Sequence, residues 1–343
     1  MNTNPHSISS DAFCEINPDY ELSTEENKAL CEAFKTINAD PYRHYDAFKY
    51  QTEKLIEDGK IPENLIKVFK SYADSDPSER PFIFIRNMPI DQDVKPFDNN
   101  RPVHSKYEIK NTFLAEASLS LIAHLTEQTP IGYLNVNGGD VFQDIYPAKS
   151  MSETQSQKAI GPIYFHKDLA NHYVRPDYVN MLSMRSTEEN EIFTTFVRNI
   201  DVLSELSDDE IAEYRKVQFY TPFDDLTVLS GKHEVGEAEN HPIVSGDNDI
   251  RFFENRTIGI DEHSNQLVKK INNIMHKVKK RVQMMPGDFI GCANNYSVHG
   301  KEVGAINAPD EAWQRWTMKT VNVDSIEPHT RHIVPGSNHL IVG

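Results

Sequence analysis

Apolar residues recur along this chain at two spacings, and the change from one to the other falls near residue 129. In "STEENKALCEAFKTI", Ser23 and Glu26 stand in capping-box spacing and the apolar positions follow at helical intervals, which predicts a helix from about residue 24. "YDAFKYQTEKLIEDG", "PENLIKVFKSYADS" with Pro62 at its first position, and the long "KYEIKNTFLAEASLSLIAHLTEQT" predict three more. Residues 21–128 therefore read as a mostly helical buttress behind a flexible stretch, 1–20.

From "PIGYLNVNGGDVFQDIYP" onward, β-branched and aromatic residues alternate with polar ones around turn signals. Strands are expected at "IGPIYFHKD", "YVNMLSMRS", "IFTTFVRNI", "DIRFFEN", "KRVQMMPGDFIGCANN", "SVHGKEV" and "RWTMKTVNV". Helices are expected to interrupt them at "DVLSELSDDEIAEYRK" and "SNQLVKKINNIMHKVKK". Many short strands after a helical lead-in predict an α+β fold, mainly β with flanking helices, built on an antiparallel barrel or jelly roll. Residues 21–343 form one domain on this reading, with the β part over 129–325 and a tail over 326–343. The stretch from about 221 to 249 lacks periodicity, and an aperiodic segment of that length is a candidate lid.

Charge narrows the partners. Lys plus Arg total 35 against 52 Asp plus Glu, a net charge of −17, which disfavours nucleic acid or an anionic membrane and suits a small molecule or plain solubility. The three cysteines, Cys14, Cys31 and Cys292, have no CxxC spacing, so a reducing cytoplasm is the expected compartment. The amino terminus lacks a basic and apolar leader, and no 18-residue apolar run occurs, so no membrane span is expected.

The chemistry concentrates in "PIYFHKDLANHYVRPDYVNMLSMRS". On a strand, His166 and Asp168 share a face and present an imidazole beside a carboxylate. With one distant histidine they would complete a 2-His-1-carboxylate triad, which leaves metal positions open for substrates. His-x-Asp alone is weak: 14 histidines and 52 acids give about two matches by chance, and His44/Asp46 is a second. That pair opens a helical pattern and reads as surface; His172 and Arg175 read as loop hydrogen bonding or ion pairing. The third ligand is His299, in "PGDFIGCANNYSVHGKEV", and "RWTMK" follows with Arg315 and Lys319 on one strand face.

In this order, His-x-Asp, distant His-Gly, then Arg-Trp, the chain resembles the Fe(II)/2-oxoglutarate-dependent oxygenases, and among them the clavaminate-synthase-like amino-acid hydroxylases. The likeness runs from about Ile131 to Val323. It implies a distorted double-stranded β-helix with Fe(II) held by His166, Asp168 and His299 at one mouth. It implies 2-oxoglutarate and O2 as cosubstrates, with Arg315, and Thr194 in "FTTFV", contacting 2-oxoglutarate. Hydroxylation is implied over halogenation, because Asp168 is a carboxylate rather than glycine or alanine.

The resemblance further implies a free basic or amide amino acid as substrate. Asn135 and Asn137, before the Gly-Gly turn, match residues that hold the α-amino group, and Lys319 matches a cation near the carboxylate. In arginine hydroxylases the segment matching "RFFENRTIG" offers two acids flanking one residue; here those positions are Glu254 and Arg256. One acid suits an ammonium better than a guanidinium fork, so L-lysine, at C4 or C3, is the expected substrate and L-arginine the alternative. The departures are the absence of the family's arginine between His299 and Arg315 and of its basic residue in "NNYSVHG". Two readings outside this one are kept: a cupin-like protein holding a metal without turnover, and a homo-oligomer formed through the amino-terminal helices.

Overall fold

The computed structural model describes residues 14–152, 154, 156–222 and 238–342. Residues 223–237 of the expected lid, and most of the stretch 1–20, lie outside the described residues. Five helices precede or border the first long strands: α1 (Thr24–Phe34), α2 (Tyr45–Glu57), α3 (Glu63–Ala73), α4 (Pro102–Ile109) and α5 (Leu114–Leu125). Ser23 caps α1 in a complete capping box with Glu26.

The single long helix expected over 106–129 is instead two, α4 and α5. The break has a buried cause. Lys110 takes an extended conformation, and its ammonium reaches Asp91 (2.6 Å), Glu116 (2.7 Å) and the Thr112 carbonyl (2.6 Å). Three such partners outweigh the helical hydrogen bonds given up at residues 110–113.

Among the described residues, eight strands have four residues or more: β1 (Phe82–Arg86), β2 (Thr129–Tyr133), β3 (Ile163–His166), β4 (Tyr178–Arg185), β5 (Asn190–Arg198), β6 (Phe289–Ala293), β7 (Ser297–Ile306) and β8 (Trp316–Val323). One sheet runs β2-β8-β4-β6-β1; another runs from Lys280–Val282 through β5 and β7 to β3. Neighbouring pairs among these strands are antiparallel. β1, "FIFIR", was not among the expected strands, because it lies inside the helical third. "DIRFFEN" forms only the two-residue strand Asp249–Ile250 and a bridge from Phe253 to His166.

Period-two alternation sorts the side chains into layers. Phe84, Val179, Met181, Ile290 and Val321 of the larger sheet meet Phe196 and Val282 of the smaller one in a shared core. Their neighbours Ile83, Ile85, Leu182, Phe289 and Met318 point the other way, onto Phe48, Leu65, Phe69 and Leu119 of the helices. The amino-terminal helices thus buttress the larger sheet. A third core packs Phe165, Val197 and Val298 of the smaller sheet's outer face against three helices, α6 (Asn199–Leu203), α7 (Asp208–Tyr214) and α8 (Glu262–Val278). No described helix is long and apolar enough to cross a membrane.

Candidate active site

The register of the smaller sheet brings the candidate ligands together. His299 of β7 pairs directly with His166 of β3, and on its other side with Phe196 of β5. Directly opposed residues place their Cβ atoms about 5 Å apart, which suits two ligands of one ion. The imidazole centroids lie 4.5 Å apart. Asp168 completes the set: its Oδ1 lies 3.3 Å from His166 Nε2 and 3.7 Å from His299 Nε2, and all three ligand atoms fall within 4.8 Å of one another.

Asp168 does not reach this point by sharing a strand face with His166, as the i, i+2 spacing suggests. β3 ends at His166, and Leu169 takes a left-handed backbone, φ 49°. The carboxylate is aimed by Asn294, whose side chain accepts from the Asp168 N–H (3.0 Å) and donates to the Asp168 carbonyl (3.1 Å) and that of Pro176 (2.8 Å). Asn294 is fully buried in the turn between β6 and β7. The sequence reading missed it, and its signal is only an Asn-Asn turn just before the distal histidine.

The electrostatics suit a divalent cation. His166 Nδ1 bonds to the Tyr164 carbonyl at 2.8 Å, so Nδ1 carries the proton and Nε2 offers its lone pair. Burial pushes the His299 imidazole down to about 3, so it is neutral near pH 7. Burial would raise Asp168, but the Lys319 ammonium holds its carboxyl well below the usual carboxylate range. Lys319 Nζ lies 3.0 Å from Asp168 Oδ2, leaving Oδ1 to the histidines. Two imidazole nitrogens and one carboxylate fit a ferrous ion.

Deeper in the sheet, Thr194 of β5 pairs across from Lys301 of β7. Arg315, just ahead of β8, is half-buried, and desolvation pulls its guanidinium down to about 10. It has no ion pair among the described residues. Thr194 is buried, with its hydroxyl 3.6 Å from Met284 Sδ.

The substrate candidates divide. Asn137 opens a tight turn whose residues Asn137, Gly138 and Gly139 have φ of 48°, 73° and 94°. Its Oδ1 accepts from Lys158 (2.9 Å), while its buried Nδ2 has no partner among the described residues. Asn135 is half-buried two residues earlier. Glu254 is engaged elsewhere: Oε1 meets His276 Nε2 of α8 at 2.6 Å and Oε2 accepts from the Phe165 N–H at 3.1 Å. Past Phe253 the chain is not a strand, so Glu254 and Arg256 share no face. Arg256 lies over the Phe253 ring, 4.4 Å from its centroid, and that ring stacks on His166 at 5.0 Å. His172 and Arg175 serve the loop: His172 Nδ1 contacts Val174 and Arg175 pairs with Asp249.

No family model matches the chain. Clavaminate synthase 2 of Streptomyces clavuligerus is 22% identical to it over 253 residues, 71% of this chain and 74% of that protein. L-asparagine oxygenase of Streptomyces coelicolor is 24% identical over 268 residues, 76% and 75% of the two. The chain is a homologue of the clavaminate synthase-like oxygenases. Solved structures agree on the fold. Asparagine oxygenase in complex with Fe(II), 2S,3S-3-hydroxyasparagine and succinate superposes with a TM-score of 0.78 at 18% identity, covering 94% of this chain and 99% of that one. The non-heme iron oxygenase OrfP, in complex with Fe and α-ketoglutaric acid, gives 0.75 at 17% identity, covering 95% and 100%.

Proposed function

We propose that the protein is an Fe(II)- and 2-oxoglutarate-dependent oxygenase that hydroxylates a free amino acid, on a distorted double-stranded β-helix. The observation that carries this reading is the convergence of His166, Asp168 and His299 on one buried point, with a half-buried cation, Arg315, just ahead of β8 in the larger sheet. OrfP is described with Fe and α-ketoglutaric acid, with L-Arg and with hydroxylated arginine, and asparagine oxygenase with hydroxyasparagine, which supports the same reaction class here.

When bound, Fe(II) and 2-oxoglutarate would supply the oxidising chemistry: one oxygen atom of O2 goes to the amino acid and the other to succinate, with loss of CO2. The chain's own residues bind and orient. His166, Asp168 and His299 would hold the ion. Arg315 and Thr194 would take the far carboxylate of 2-oxoglutarate, and Lys319 the carboxylate of the amino acid. Asn137, with its unpartnered Nδ2, would receive a polar group of the amino acid, aided by Asn135. Phe253 walls one side of His166 and keeps water from that face.

The finer reading, L-lysine hydroxylated at C4 or C3, rests on Glu254 as the one remaining acid beside Arg256. The engagement of Glu254 by His276 and the Phe165 N–H takes support from that argument and leaves L-arginine no better placed. Incubation with Fe(II), ascorbate, 2-oxoglutarate and each of the twenty amino acids, read by mass spectrometry, tests both levels. A gain of one oxygen on lysine alone establishes the finer reading. A gain on another amino acid keeps the reaction and removes lysine. Absence of any gain, and of succinate, defeats the proposal.

A further inference from the structure

We propose that Lys301 is a second cation for the far carboxylate of 2-oxoglutarate, so that the cosubstrate is clamped between Lys301 and Arg315; this rests on the function proposed above. Lys301 follows His299 by two residues on β7, so its side chain leaves the same sheet face as that metal ligand, and it stands directly across from Thr194. Lys301 and Arg315 line one small cavity together with Gln157, Ala159, Ile145 and Ile192.

The charges in this cavity do not balance. Lys301 is only 8% exposed, and its ammonium donates to the Ala159 carbonyl at 2.6 Å. Three N–H donors sit on that nitrogen, and a single carbonyl meets one. Among the described residues no carboxylate forms an ion pair with Lys301 or with Arg315. Elsewhere the fold pairs its buried lysines: Lys106 has Asp140 and Asp144, and Lys110 has Asp91 and Glu116. A buried ammonium beside a half-buried guanidinium, with no anion paired to either among the described residues, is costly, and a carboxylate from a ligand would offset both. The cavity lies on the His299 face of the sheet, where Lys301 and Arg315 would hold the far carboxylate of 2-oxoglutarate.

The test is calorimetric titration of 2-oxoglutarate into Mn(II)-loaded protein, wild type against K301M, K301Q and K301R, with the unfolding temperature of each ligand-free protein alongside. A charge-assisted hydrogen bond implies a roughly ten- to hundredfold weaker binding in K301M and K301Q and recovery of most of it in K301R. K301Q can still donate to Ala159, so its failure isolates the charge. The ligand-free K301M protein is expected to unfold at or above the wild-type temperature, because a poorly compensated charge leaves the interior. Wild-type affinity in K301M and K301Q, or a lowered unfolding temperature in both, overturns the assignment and leaves the oxygenase reading standing. Absence of 2-oxoglutarate binding in the wild type overturns both.

Discussion

Replacing Lys319 by Met tests the electrostatic design of the candidate metal site without touching a candidate ligand. Lys319 and Asp168 have side chains only 8% and 12% exposed, and their charged atoms lie 3.0 Å apart. Methionine keeps most of the length of the side chain and removes the charge, so the metal-free variant is left with a buried carboxylate short of its nearest counter-charge. Removing one partner of a buried pair costs about 3–5 kcal/mol. An unfolding entropy of about 2.1 cal/mol/K per residue over 343 residues gives roughly 0.7 kcal/mol/K, so the unfolding temperature should fall by about 4–7 °C. A divalent ion at Asp168 restores the missing positive charge. The same variant loaded with Mn(II) should therefore lie within about 2 °C of the loaded wild type, and by linkage its Mn(II) affinity should rise. Scanning calorimetry with a chelator and with Mn(II) measures both halves. An equal fall in both states would refute the reasoning, since it would mean that Lys319 matters as a packed side chain and not as the counter-charge of Asp168.

Arg315→Met should raise the 2-oxoglutarate KM by about a hundredfold or more, the worth of two charge-assisted hydrogen bonds, while the amino-acid KM changes little; an unchanged 2-oxoglutarate KM would remove its assigned role. Burial pushes His241 down to about 4, with its Nε2 2.8 Å from the Thr221 hydroxyl. The unfolded chain, near 6.5, then binds the extra proton first. Stability is full above about pH 6.5 and is lost as pH falls toward 4, by up to about 3 kcal/mol. His172 and His299, also held low by burial, add to the same slope, so His241→Gln should lessen it by about one proton's worth in urea unfolding at pH 4.5–7, and an unaltered slope would show that His241 does not contribute. Glu254→Gln should lower the unfolding temperature by weakening the contact with His276 while leaving the ranking of amino-acid substrates unchanged; a switch of substrate would return Glu254 to the recognition site.

What the sequence makes legible is whatever depends on short-range spacing. The 3.6- and 2-residue periods place α1, α2, α3 and most of the long strands because each buries one face, and the alternation of Ile83, Phe84 and Ile85 shows the same rule in a strand the reading passed over. β1 was missed because five residues inside a helical third give too few alternations to stand out. The break between α4 and α5 was missed because Lys110 is polar in the sequence and finds its reasons, Asp91 and Glu116, only in three dimensions.

The candidate site follows the same division. His166, Asp168, His299 and Arg315 stand out as residue types in an order, and they need no contact map to be suspected. What aims and balances them is long-range: Asn294 reaches back 126 positions to fix Asp168, and Lys301 faces Thr194 only because β7 and β5 pair in that register. Glu254 shows the limit most sharply. Counting acids at i and i+2 assumes a strand, but the chain leaves the sheet after Phe253, and the carboxylate finds a histidine on α8 that no spacing rule connects to it. Meanwhile Arg256 stacks over Phe253 and brings positive charge next to His166. Glu254 is committed to His276 and the Phe165 N–H, so recognition of a basic side chain would fall to another acid on the approach. The identity of the substrate therefore turns on residues around the mouth rather than on the ligand strands that reveal the chemistry.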